Sequence, residues 1–182
     1  LDIAYANAMR EVVKQYPNDL DAATLFAEAL MDTTPWDYWQ ENGDPKPEGV
    51  EIMATLESVL KRNPNHAGAN HLYIHAVEKE RPELGIAAAD RLMKLVPGSG
   101  HLVHMASHIY IRVGRYHDAV VSNQRGLAAD DAYVAACHAQ GIYPLTYMPH
   151  NHHFLWFAAL MTGQSKVAIA AAKQTAQVDE KM

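Results

Sequence analysis

Histidine carries the chemistry this sequence can do, since 11 of its 182 residues, about 6%, are histidine. His71 and His75 stand four apart and Glu78 three further on, a spacing that puts all three on one face of a helix. His101, His104 and His108 fall at i, i+3 and i+7, again one face, and His150 and His153 are three apart. Imidazole nitrogens with a carboxylate suit a transition metal: zinc or copper first, iron or nickel as further choices. His71, His75 and Glu78 form a two-histidine, one-carboxylate set, and His101, His104 and His108 a three-histidine set, so two ions could be held. A polar peptide-binding groove and plain structural hydrogen bonding are the competing readings of the same rows. His66, His117 and His138 have no such neighbours in sequence and are expected to be hydrogen-bonded or solvent-facing bystanders.

These residues need helices to hold them. Three amphipathic segments end alike, Glu11 to Pro17, Ser58 to Pro64 and Arg91 to Pro97, and each is stopped by a proline, which cannot continue a helix. After each proline a second helix is expected, at roughly 20–32, 67–80 and 100–113, with a further one at 150–162. Pro64 and Pro97 are 33 apart, whereas Pro17 and Pro64 are 47 apart, one period plus an insert. Shifting by 33 residues puts His71 on His104 and His75 on His108. The 47-residue offset puts Thr24 and Glu28 at the same places. Matching Gly114 to Gly163 puts His153 on His104 and His150 on His101. Rungs of like chemistry result: Thr24–His71–His104–His153 and Glu28–His75–His108. The candidate ligands are therefore His71, His75, His104 and His108, then His101, Glu78, His153, His150 and Glu28.

A period near 33 with two helices per unit resembles the tetratricopeptide repeat. The matching residues are the closing prolines, small residues such as Ala87, and the turn in Tyr110-Ile111-Arg112-Val113-Gly114-Arg115-Tyr116, which Thr162-Gly163-Gln164 repeats. More closely, the segments His104 to Ile109 and Tyr147 to Trp156 resemble a group of longer bacterial tetratricopeptide proteins, in which proline stands where this chain has Ala106. The resemblance implies an all-α fold of helix-turn-helix repeats stacked into a right-handed superhelix. It also places the histidine rows in a concave groove, where such folds dock peptides. Residues 1–182 are then one repeat domain of a longer chain, with inserts at about 33–47 and 129–149. The first insert is expected to be a packed surface loop, with a lid over the groove as the alternative. The second is expected to be a short helix and an ordered loop, with Cys137 buried in packing.

Other functions are excluded or weak. The net charge of -6 and pI near 6.0 argue against a nucleic-acid partner. No apolar run approaches the ~18 residues that span a bilayer, so no membrane partner is expected. One cysteine rules out an internal disulfide framework. There is no His-Glu-x-x-His, nucleophile elbow or phosphate loop, and Gly98-Ser99-Gly100 reads as a turn into a helix. The nine tyrosines and eight methionines read as packing. The chain opens on Leu1 with no visible export signal, so a cytoplasmic setting is expected unless a signal precedes it. The expected function is a scaffold whose groove binds a divalent metal. A metal-dependent enzyme, hydrolytic or oxidative, on the same histidines is the first alternative. A module docking a peptide or protein without metal is the second.

Overall fold

The computed structural model describes residues 1–138 and 141–176. Among these no β-strand forms; the chain is a succession of helical hairpins, α1 (Asp2–Gln15), α2 (Leu20–Thr33), α3 (Pro47–Arg62), α4 (Ala67–Val77), α5 (Ile86–Leu95), α6 (Gly100–His104), α7 (Ala106–Arg112), α8 (Tyr116–Cys137), α9 (Met148–Met161) and α10 (Ser165–Ala176). A 3₁₀ turn, Pro82–Gly85, leads into α5, and a π turn, Tyr143–Tyr147, leads into α9. The chain divides into two compact units, Leu1–Ala88 and Ala89–Met182, with the division inside α5.

The helix ends follow from local chemistry. Asp19 caps α2 by accepting from the Ala22 N–H at 2.9 Å, and His66 Nδ1 caps α4 by accepting from Ala69 N–H at 3.2 Å. Pro47 opens α3, where its missing N–H costs nothing. Gly114 (φ +79°) and Gly163 (φ +71°) turn the chain out of α7 and α9 in the left-handed conformation that glycine accepts without strain.

In the first unit α1 packs on α2, α2 on α3 and α3 on α4, around a core that includes Leu30, Ile52, Leu56, Val59 and Ile74. Each such side chain contributes roughly 1.5–3 kcal/mol by leaving water. Between α2 and α3 the insert is a packed loop: Tyr38 and Trp39 are buried, and Trp39 Nε1 donates to the Ala76 carbonyl at 2.8 Å. Trp36 is the exception. It is exposed, holds a left-handed backbone (φ +55°), and sets its ring edge-on to His75 at 6.2 Å.

In the second unit α6 and α7 pack on α8, α8 on α9 and α9 on α10, around Leu92, Val103, Ile109, Tyr110 and Leu155. Arg115 and Tyr110 both bind Asp90, at 2.9 and 2.7 Å, which ties α5 to the start of α8. Two expectations are corrected here. α8 runs 22 residues, to Cys137, because the second insert begins by prolonging that helix. Cys137 is therefore exposed at the helix end, not buried in packing.

The helix expected at 100–113 is broken at Met105, where the His108 N–H reaches the Met105 carbonyl, a tighter i to i−3 step. Ala106 consequently opens α7. A proline inside a helix costs ~3 kcal/mol or more, but at a first helical position it loses no hydrogen bond. What remains is the helical backbone of Met105, which a following proline disfavours. Ala106→Pro is expected to lower the urea-unfolding free energy by only ~1 kcal/mol, against ~3 kcal/mol for Ile109→Pro. Equal losses would show that α6 and α7 behave as one unbroken helix.

Candidate metal centre

The site in the second unit is built on His104. α6 starts at Gly100, which lies so close to α8 that a Cβ there would sit 1.8 Å from an oxygen of Asp130. That approach brings the buried His104 ring against Asn123 of α8, with Nδ1 2.6 Å from Asn123 Oδ1. The Asn123 amide donates its own N–H to the Ala119 carbonyl at 2.7 Å, so its oxygen must face the ring. His104 Nδ1 therefore carries the proton and donates, and Nε2 presents a lone pair.

Two more imidazoles meet that lone pair. His108 Nε2 lies 3.1 Å from His104 Nε2, and His150 Nε2, from α9, lies 3.3 Å from His108 Nε2. One ligand atom from each of the three falls within 4.8 Å of the others. Two nitrogens bound to one ion at about 2.1 Å, at a tetrahedral angle, stand ~3.4 Å apart. The observed separations match the edge of such a ligand set. Phe154 walls it on one side, stacked on His108 at 4.5 Å and edge-on to His104 at 4.9 Å. Burial holds His104's pKa well below the usual histidine value, and the neighbouring His108 adds to this. The ring is thus neutral at ordinary pH and ready to ligate. Residues of adjacent hairpins combine here, His104 and His108 from one and His150 from the next.

The first unit holds a second, smaller cluster. His75 Nδ1 lies 2.9 Å from Glu78 Oε1, and the His71 and His75 rings meet edge-on at 5.0 Å. Glu78 accepts from Nδ1 and so orients the ring, leaving Nε2 of His75 as its ligand atom. The expected role of Glu78 as a ligand in its own right is compatible with this, since a carboxylate that orients a ring can still offer an oxygen to an ion.

Of the remaining expected residues, His101 stays beside the centre, 6.3 Å from His104 between ring centres, and the others fall elsewhere. Glu28 is exposed on α2, and the Thr24 hydroxyl donates to the Leu20 carbonyl at 2.8 Å. His101 lies one turn before His104, its ring edge-on to Tyr147 at 5.0 Å. His153, aligned with His104 by the repeat, is exposed and stacked on Trp156 at 5.2 Å; His150 takes the place beside His104 instead. Among the bystanders, His66 bridges the start of α4 to Asp21 at 3.0 Å, and His117 and His138 are exposed. Sequence reasoning missed Asn123, since nothing about a lone asparagine 19 residues past His104 marks it. Phe154 carried a faint signal, four residues after His150.

No protein-family model and no curated protein sequence matches the chain. Solved structures do resemble it. One is a MamA RS-1 ArsTM double mutant, with TM-score 0.68 and 12% identity over 97% of this chain and 84% of that one. Another is a crystal structure of MamA, with TM-score 0.67 and 15% identity over 97% and 87%. MamA 41-end from Desulfovibrio magneticus RS-1 follows, with TM-score 0.63 and 14% identity over 96% and 82%. At such identities the likeness speaks for the fold alone, and that fold is a scaffold of tetratricopeptide-like helical repeats.

Proposed function

We propose that this scaffold binds one divalent transition metal, zinc or copper, through His104, His108 and His150. The observation that carries the reading is the convergence of three Nε2 atoms at 3.1 and 3.3 Å, with the first fixed as a lone-pair donor by Asn123. Between neutral imidazoles each contact can hold only one proton, so His108 Nε2 cannot donate to both neighbours. A cation accepts all three lone pairs at once. The carboxamide behind His104 is the kind of partner that orients metal-ligating histidine.

Three protein ligands leave a fourth position on a tetrahedral ion. His150 stands on the partly exposed side, which supports a water or substrate there and so the metal-dependent enzyme as the second reading. A structural ion would instead take a fourth protein ligand.

The test is elemental analysis of protein purified without an affinity tag, followed by melting with and without a chelator. A bound ion that ties α9 to α6 and α7 raises stability by RT ln(1 + [L]/Kd), about 2.7 kcal/mol at a hundredfold excess over Kd. Metal at one equivalent per chain, with a melting temperature that drops on chelation, is the expected result. A chelator that leaves the melting of loaded protein unmoved removes the site.

A further inference from the structure

A row of aromatic rings leads from the histidine centre to the surface, entirely within the second unit. His101 is 6.3 Å from His104 between ring centres, Tyr147 is 5.0 Å from His101, Tyr143 is 5.3 Å from Tyr147 in a stacked pair, and Tyr133 is 5.6 Å from Tyr143. Tyr143 and Tyr147 are four apart on the π turn, an irregularity often found at functional sites. Tyr133 ends the row on α8 and is 47% exposed, and Tyr147 within the row is 41% exposed, so the row meets solvent at both rings.

The middle one of the three tyrosines, Tyr143, is also fitted for a proton. The Tyr143 hydroxyl donates to Asp130 Oδ1 at 2.6 Å, and Asn151 Nδ2 donates to Asp130 Oδ2 at 2.7 Å. Asp130 is wholly buried, and the absence of a side chain at Gly100 is what lets its carboxylate stand there. A phenol gives up an electron easily only if its proton leaves together with it. A carboxylate at hydrogen-bond distance is the group that takes that proton.

We propose that Tyr143 and Asp130 form a proton-coupled redox pair, which carries oxidising equivalents from the histidine centre out to Tyr133. This rests on the metal reading, because the oxidant arises when hydrogen peroxide meets a reduced copper ion at the histidines. A cuprous ion held by His104, His108 and His150 would supply one electron to the peroxide and be left cupric. Tyr143 supplies a second electron along the aromatic row, and its phenol proton passes to Asp130. Peroxide leaves as one hydroxide and one water, the water's added proton being drawn from solvent, to which Asp130 later releases its own. A one-electron reductant such as ascorbate returns the ion to the cuprous state, and a second peroxide then oxidises Tyr133, whose phenol proton goes to solvent. The two phenoxyl rings couple through a carbon–carbon bond, and each displaced ring hydrogen passes through solvent to a phenol oxygen. The histidine ligands are thereby spared oxidation. Burial raises the Asp130 carboxyl above the usual carboxylate range, which makes it the better proton acceptor, and burial also keeps the Tyr143 phenol protonated until it is oxidised.

Two experiments test this. Copper-loaded protein treated with ascorbate and hydrogen peroxide is digested and mapped by mass spectrometry. The parent is expected to show a Tyr133–Tyr143 cross-link, with little 2-oxo-histidine at His104, His108 and His150. In Tyr143→Phe the cross-link vanishes and histidine oxidation rises several-fold. In Tyr133→Phe the cross-link vanishes while oxidation stays on Tyr143. Histidine oxidation at the same level in parent and Tyr143→Phe, in protein shown to bind copper, overturns the relay. The second experiment needs no metal: a photogenerated ruthenium(III) oxidant is applied to metal-free protein and the tyrosyl radical is read by electron paramagnetic resonance. A Tyr143 radical that falls at least about tenfold in Asp130→Asn is expected, with the folded state of the variant checked by circular dichroism. Equal radical yields in parent, Asp130→Asn and Tyr143→Phe overturn the pair. If copper fails to bind, the metal reading falls and this second result still decides the tyrosine pair.

Discussion

Replacing either His104 or His150 by alanine is expected to lower zinc affinity by at least ~10–100-fold, and the two variants separate binding from folding. His104 is fully buried between Asn123 and His108. Its removal opens a cavity and leaves the Asn123 oxygen with only the long contact from the Ser107 hydroxyl at 3.5 Å, a cost of about 2–4 kcal/mol. His150 stands at the partly exposed edge of α9, so its loss costs under ~1 kcal/mol in the metal-free protein. His150→Ala therefore reads binding almost alone. Asn123 tests the orientation of the ring from behind. Asn123→Leu removes the acceptor and lets His104 turn its proton toward the ion, weakening binding by ~10-fold or more, whereas Asn123→Asp keeps an acceptor and retains it. His117→Ala, on an exposed helix face, leaves affinity unchanged. The measurement is calorimetric titration of zinc and copper into apo protein and the five variants. Parent-like affinity in His150→Ala would mean that the converging nitrogens are not the ligands.

Much of the scaffold was legible because its signals are local. Pro17, Pro64 and Pro97 stop helices by chain geometry alone, and Gly114 and Gly163 mark the same turn in two hairpins. The pairing of His104 with His108 was legible for the same reason, since i and i+4 share a face whatever surrounds the helix. What crosses between helices was not. The alignment favoured His153 as the partner of His104, but the repeat offset counts residues from Gly163, whereas ring direction depends on where α9 begins. Its first turn rides on the π turn at Tyr143–Tyr147, which the period does not encode, and His153 finds Trp156 instead. Asn123 was invisible because its role exists only once Gly100 lets α6 approach α8. The break at Met105 escaped for a different reason. Neither Met105 nor Ala106 is a poor helix former, so nothing in their propensities separates α6 from α7.

Acidification should destabilise the metal-free protein, and His104 sets the window. Burial, first, and the nearby His108, second, hold its folded pKa well below 6.5. In the unfolded chain the same ring titrates near 6.5. As pH drops below that value the unfolded state takes up a proton that the folded state refuses. Stability is then lost at about 1.4 kcal/mol per pH unit until the folded pKa is reached. His152, lowered by its own burial, pulls the same way with a smaller share because it is only partly covered. Asp130 works in the opposite sense: its raised carboxyl binds a proton in the folded state before the unfolded chain does, so acid strengthens that element of the fold. That opposing effect belongs to the carboxylate range, and urea titrations between about pH 7.5 and pH 5.5 stay largely above it. His104→Gln is the control, since glutamine offers Asn123 an N–H and takes up no proton. The parent should lose stability steeply across the range and the variant should lose much less. Equal slopes in the two proteins would show that His104 accepts its proton inside the fold as readily as in the unfolded chain, and that the site is open to water rather than held dry against Asn123 and Phe154.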